Sequence, residues 1–261
     1  MKKYAFLMAV TAFIFYSCQK VITLPLNNTY PHIVIQGEVT DTTGPYTVTI
    51  NKTVNFYTEN NFPAVSGAVV KIHDDKGNAD SLIETSAGVY STQTLVGHPG
   101  NTYTLTVLSK DTLYTATSTM PTAVPFDSIT FRHDKFFGNE SISAIPNFQD
   151  PAGVNNYYQF MEYVNGQLLN QVIFVFDDRL SDGKYITRAL RNDSTRLFVG
   201  DDLQIKMYCI DKPVFDYFNQ LEESSGNFNS AAPANPTSNF DNGALGVFSA
   251  HTVRSRKITV Y

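Results

Sequence analysis

Three aspartates lie close together in Phe176-Asp177-Asp178-Arg179-Leu180-Ser181-Asp182-Gly183-Lys184. Asp177, Asp178 and Asp182 could offer several carboxylate oxygens to a hard cation such as calcium. The run lacks the alternate spacing and terminal Glu of a calcium loop. It reads instead as a polar hairpin turn between strands Gln171–Phe176 and Lys184–Leu190, with Gly183 at positive φ. The three aspartates are therefore weak candidates, and no metal site is assigned. Asp74-Asp75 before Gly77, and Asp201-Asp202 after Gly200, read as turns for the same reason.

The five histidines, His32, His73, His98, His133 and His251, form no HExxH or HxH pattern. Each reads as a surface or turn residue. There is no GxSxG elbow, Walker loop or GxGxxG, so no catalytic residue and no cofactor is expected. A hydrolase site assembled only in three dimensions is the enzymatic alternative. Aromatic residues cluster at Tyr157, Tyr158, Phe160 and Tyr163, at Phe136-Phe137, and at Phe215, Tyr217 and Phe218. Exposed, such groups bind sugars or proteins; buried, they are core. The core reading is preferred, because sugar sites commonly lean on Trp and the chain has none.

The elements that must position these residues are short strands. Ile33–Val39, Tyr46–Ile50, Val69–His73, Tyr103–Leu108 and Leu113–Met120 are rich in β-formers and separated by turn residues. Such spacing predicts an Ig-like β-sandwich over residues 31–121. Pro121–Phe126 reads as a hinge into a second β-rich domain, 126–261. There Asp202–Ile210 alternates and puts Cys209 on the Leu203/Ile205/Met207 face as a buried thiol. One helix is expected near 212–225, with Asp211 as N-cap and Pro213 in its first turn. Residues 226–243 read as a long polar loop. Arg254-Ser255-Arg256-Lys257 reads as a solvated strand face.

Composition sets the wider bounds. Of 261 residues, 43% are hydrophobic and 16% charged, a balance that supplies real cores and excludes a disordered chain. A formal net charge of −5 provides no basic field for nucleic acid. At the N-terminus, Lys2-Lys3 precedes an uncharged apolar stretch from Tyr4 to Tyr16, too short to span a bilayer as a helix. Ser17 and Cys18 follow. Residues 1–17 therefore read as a lipoprotein signal peptide, Cys18 as the lipidation site and 18–30 as a tether. Two or three acyl chains, palmitate-like, would make the anchor effectively permanent at about 0.8 kcal/mol per buried methylene. Ordinary secretion with cleavage nearby is the alternative. With Cys18 acylated, no intramolecular disulfide could form, since the chain has two cysteines.

Two resemblances add to this. The Gly-x-Val, Ser66-Gly67-Ala68-x-Val70, Gly88-x-Tyr90 and Pro99-Gly100-x-x-Tyr103-x-Leu105-x-Val107 strands resemble transthyretin-like or carboxypeptidase-regulatory sandwiches. Val34-Ile35-Gln36-Gly37, Asp150-Pro151, Asn156-Tyr157-Tyr158, Pro233-Ala234-Asn235-Pro236 and Asn239–Ala250 resemble the domain of unknown function 4249 lipoproteins of the Bacteroidota. That family resemblance implies an outer-membrane location. It also implies a partner, since such genes often lie beside those for TonB-dependent receptors. The expected function is thus a non-catalytic, membrane-anchored accessory, with a direct glycan- or metal-binding lipoprotein as the alternative. Gln19–Thr23 lacks the acidic residues of surface-export signals, which leaves periplasmic and surface orientations open.

Overall fold

A computed structural model of the chain describes residues 31–55, 61–136, 139–169, 173–190, 197–225 and 235–261. The predicted signal peptide, Cys18 and the tether lie outside these residues, as do Phe137, Gln171 and residues 226–234 of the polar loop.

The chain runs β1 (Ile33–Thr40), β2 (Thr47–Lys52), β3 (Val69–Asp74), β4 (Ala79–Ser81), β5 (Ile83–Ser86), β6 (Val89–Ser91), β7 (Thr102–Ser109) and β8 (Thr112–Thr119). It continues through β9 (Ser128–Phe136), β10 (Asn139–Gln149), β11 (Tyr157–Val164), β12 (Gln167–Leu168), β13 (Phe174–Asp177), β14 (Tyr185–Thr187) and β15 (Asp202–Ile210). A helix, α1 (Lys212–Ser225), and a long strand, β16 (Leu245–Thr259), close it. The fold is mainly β with one helix among the described residues, as the sequence predicts.

The strands form a nine-stranded sheet ordered β12-β11-β15-β16-β1-β2-β6-β5 with β13 beside β11, a four-stranded sheet β4-β3-β7-β8 and a three-stranded sheet β14-β10-β9. The small sheets cover successive parts of one face of the large sheet. Alternation drives both packings. Ile35, Val48, Ile50 and Tyr90 meet Val70, Ile72, Tyr103 and Leu105 in a first core. Tyr158, Phe160, Leu203, Ile205, Met207 and Cys209 meet Ile129, Ala144, Phe148 and Ile186 in a second. A third, smaller core lies on the opposite face, where Val214 and Phe215 of α1 pack on Val175, Ile210 and Val247.

The two halves expected on either side of 121–126 therefore have separate cores but share a sheet. β16 joins them: Leu245–His251 pairs in parallel with β1, and Thr252–Thr259 pairs antiparallel with β15. Asp41 pins the crossing, accepting from the Val253 amide (2.8 Å) and the Arg254 guanidinium (2.7 Å). Arg254 keeps 41% of its side chain exposed, and Ser255, Arg256 and Lys257 are exposed beside it, the solvated face expected of the cluster. Asp211 is the N-cap the sequence predicts, accepting from Val214 N–H (3.2 Å). Its other oxygen accepts from Ser118 Oγ and Thr119 N–H, both at 2.9 Å, tying α1 to β8.

The described end of the polar loop is structural. Phe240 is buried in the first core. The Asn239 carboxamide bonds both the N–H (3.0 Å) and C=O (2.7 Å) of Phe248, and Asp241 accepts from Thr115 N–H (2.6 Å). This segment seals the edge of β8, whose unpaired backbone would otherwise invite another strand.

Candidate functional site

The expected hairpin over 171–190 does not form. β13 pairs with β11 in the large sheet, whereas β14 pairs with β10 in the three-stranded sheet. Asp178–Lys184 thus carries the chain from one sheet to another. Turn residues announce a reversal but do not name the strands it connects. Gly183 does take positive φ, at 68°.

This crossing separates the three aspartates. Asp177 faces Arg179 at 2.6 Å. Asp178 and Asp182 instead converge with Asp150, which the sequence offered only as part of the family motif Asp150-Pro151 and not as a ligand, with ligand atoms within 4.8 Å of one another. Each carboxylate already accepts a hydrogen bond. Asp150 takes the Tyr158 hydroxyl (2.5 Å) and Gly183 N–H (3.0 Å). Asp178 takes Asn156 N–H (2.8 Å), and Asp182 takes Gly153 N–H (2.7 Å). The cluster could ligate a hard cation, and its contacts weld loop 150–156 to loop 178–183. Burial, and then the Asp150 carboxylate, push the Tyr158 hydroxyl well above the usual tyrosine range.

A different site opens beside α1, on the outer face of the large sheet. Five adjacent strands contribute alternate residues to it: Thr47 and Thr49 from β2, Gln36 and Glu38 from β1, Val247, Ser249 and His251 from β16, Lys206 and Tyr208 from β15, and Gln159, Met161 and Tyr163 from β11. They line a groove of about 460 Å³, within the roughly 300–1,000 Å³ of small-ligand pockets. Phe218 of α1 forms one wall.

Its electrostatics come from burial. His251, read from sequence as a surface or turn residue, is only 4% exposed. Desolvation drives its pKa down to about 4, against a smaller upward pull from Asp41, so the imidazole is neutral at pH 7. It packs against Tyr208 with ring centroids 4.5 Å apart and the planes tilted by 33°. Burial raises the Tyr208 hydroxyl, with Tyr163 and Glu38 adding to the effect. Burial also raises Glu38, partly opposed by Lys206, whose ammonium lies 5.0 Å from the Tyr163 ring centre.

Ser249 Oγ lies 2.9 Å from His251 Nδ1, and His251 Nε2 lies 4.0 Å from Glu38. With a neutral imidazole this last contact is not an ion pair. The order is that of a nucleophile, base and carboxylate. Acyl transfer also needs free donors for the developing oxyanion. The amides flanking Ser249 are committed: Phe248 N–H to Asn239 Oδ1 (3.0 Å) and Ala250 N–H to Ser118 Oγ (2.8 Å).

Sequence reasoning missed the groove because Val247–His251 is buried on both faces and shows no alternation. The aromatic cluster it did notice divides. Tyr158 and Phe160 are core, while Tyr157 and Tyr163 stand on the outer face. Cys209 is buried and free, its thiol raised chiefly by desolvation.

A family model described as a domain of unknown function (DUF4249) matches residues 19–257. No curated protein matches the chain. Among solved structures, the Yersinia pseudotuberculosis adhesin InvE aligns at 14% identity and a TM-score of 0.20, over 87% of this chain and 58% of the adhesin chain.

Proposed function

We propose, from the premise that the chain belongs to the DUF4249 family, that it is a non-catalytic binding component of a bacterial cell envelope. In this reading it is held by lipid on Cys18 and works beside a TonB-dependent outer-membrane transporter. The observation that carries the binding role is the outer-face groove, which gathers polar and aromatic side chains from five strands. The committed amides around Ser249 support binding over acyl transfer. The charged, apolar, Ser17-Cys18 order of the N-terminus supports the anchored part. No described helix is long and apolar enough to cross a membrane.

Purification of the native protein from detergent-solubilised membranes tests the accessory role. Recovery with an outer-membrane barrel is expected; recovery without any envelope partner overturns it. Mass spectrometry of the mature N-terminus should find a diacylglyceryl-modified Cys18, and an unmodified cysteine removes the anchor.

Direct metal binding has one observation in its favour, the convergence of Asp150, Asp178 and Asp182. Their existing backbone and hydroxyl donors favour a structural role. Added calcium should leave the melting temperature unchanged, and a rise of several degrees would make the cluster a cation site.

A further inference from the structure

Gln159 is 7% exposed, faces the groove, and its carboxamide makes no hydrogen bond among the described residues. Lining the groove, its carboxamide can offer a ligand both a donor and an acceptor. Gln36, two strands beyond β15 along the same face, presents a second unbonded amide at an exposed position. Thr47 and Thr49 add hydroxyls, and Glu38 and Lys206 add one charge of each sign.

From these we infer that the groove is a subsite for a neutral oligosaccharide, an assignment that rests on the binding role proposed above. Three features select that class. The groove's lone carboxylate and lone ammonium oppose each other electrostatically, so no net field favours a charged ligand. Planar amide and carboxylate groups can engage neighbouring hydroxyls in pairs, as a sugar ring presents them. Tyr163, Tyr208, Met161 and Val247 supply aromatic and apolar surface for the C–H side of such a ring. A peptide is disfavoured by the location. Strand addition needs a free sheet edge, and here β15, β16 and β1 are interior strands whose ladders are complete on the groove face.

The test uses the full chain and a panel of glucose-, mannose- and xylose-based hexasaccharides, with a uronic-acid oligosaccharide and an unstructured peptide library alongside. Binding is read by isothermal titration calorimetry, with tyrosine fluorescence, to which Tyr163 and Tyr208 contribute among fifteen tyrosines, alongside. At least one neutral sugar should bind saturably. Gln159→Leu should weaken that binding about 10-fold, the effect of one hydrogen-bonding group. Gln36→Ala, at an exposed position, should weaken it comparably at unchanged melting temperature, which guards against a folding defect in Gln159→Leu, and the half-buried Tyr163→Ala should weaken it as well. A flat response to all neutral sugars, or binding untouched by these variants, overturns the assignment. Tighter binding of the uronic-acid ligand or of a peptide, lost in the same variants, overturns the sugar class but leaves a binding groove. Loss of the transporter partner in the membrane purification, with sugar binding intact, would sink only the accessory role.

Discussion

Asp80 in the first sandwich and Glu162 in the second are both carboxylates buried under a sheet, 6% and 3% exposed, yet their surroundings differ. One Asp80 oxygen accepts from the backbone N–H groups of Gln93 (2.8 Å), Thr94 (2.6 Å) and Leu95 (2.9 Å). Burial pushes its pKa up, but those three amides outweigh it and hold the carboxyl below the usual range. Asp74 is treated likewise: amides of Lys76 and Asn78 and the side chains of Asn78 and Asn101 overcome its desolvation. Glu162 lies on the core side of β11, opposite Ile205, and its Oε1 has no hydrogen-bond partner among the described residues. With desolvation alone acting, its pKa rises to about 7. Asp80 and Asp74 organise loops in the first sandwich, as Asp150 and Asp178 do in the second, whereas Glu162 is an unpaired cost with no loop to hold.

The two sandwiches are coupled through β16, the strand they share. Gly246 has φ +99° and pairs with Ile35; a Cβ there would sit 2.0 Å from the Ile35 carbonyl oxygen. Gly246→Ala should therefore cost about 4 kcal/mol. Urea unfolding followed by tyrosine fluorescence and by far-UV circular dichroism should show one shifted transition. Two separated transitions would mean that the cores are independent and the contrast is between domains.

The next largest effect tests the first sandwich. Asp80→Ala orphans three backbone amides, that of Leu95 buried, and should cost about 2 kcal/mol. A loss below about 1 kcal/mol in the same unfolding measurement would show that water replaces the carboxylate. The second sandwich should respond with the opposite sign. Glu162→Gln replaces a buried acid by its neutral isostere and should stabilise by about 2 kcal/mol at pH 8, while leaving pH 4 unchanged. The sign follows from linkage. Between 4.5 and about 7 the unfolded chain ionises this group while the folded chain keeps the proton, so wild-type stability falls across that window.

Much of this architecture was legible because it is local. The Leu203/Ile205/Met207/Cys209 alternation forms one buried face of β15, and Asp211 caps the helix that runs to Ser225. β10 was not legible: Ser141–Pro146 alternates apolar with small or polar residues, and Pro146 reads as a breaker. It is tolerated where Pro146 faces Ile129, beside the start of the β14 pairing. The parallel pairing of β1 with β16 joins residues some 210 positions apart, such as Val34 and Leu245, and leaves no local trace. The same holds for the site. Asp178 and Asp182 were noticed from their spacing, but Asp150 and Asn156 reach them only through the fold. Ser249, His251, Glu38 and Gln159 meet because four strands stack in register, which sequence spacing does not encode.

His251 lies on the strand both sandwiches share and supplies the finest test, because its titration mirrors that of Glu162. Its folded pKa is depressed to about 4 from 6.5. As pH falls from 6.5 towards 4, the unfolded chain takes up a proton that the buried imidazole refuses, and stability drops. Glu162 has the opposite slope over an overlapping window, so the two contributions oppose each other between pH 4.5 and 6.5. His251→Gln keeps a polar group near Ser249 but cannot titrate. Relative to wild type it should gain about 1–2 kcal/mol at pH 5 and nothing at pH 8, shifting the slope in the falling direction. Glu162→Gln should shift the slope in the rising direction, and the double variant should return it towards that of wild type. Parallel profiles for all four proteins would show that neither group is desolvated as placed, and the contrast between the sandwiches would then rest on Asp74 and Asp80 alone.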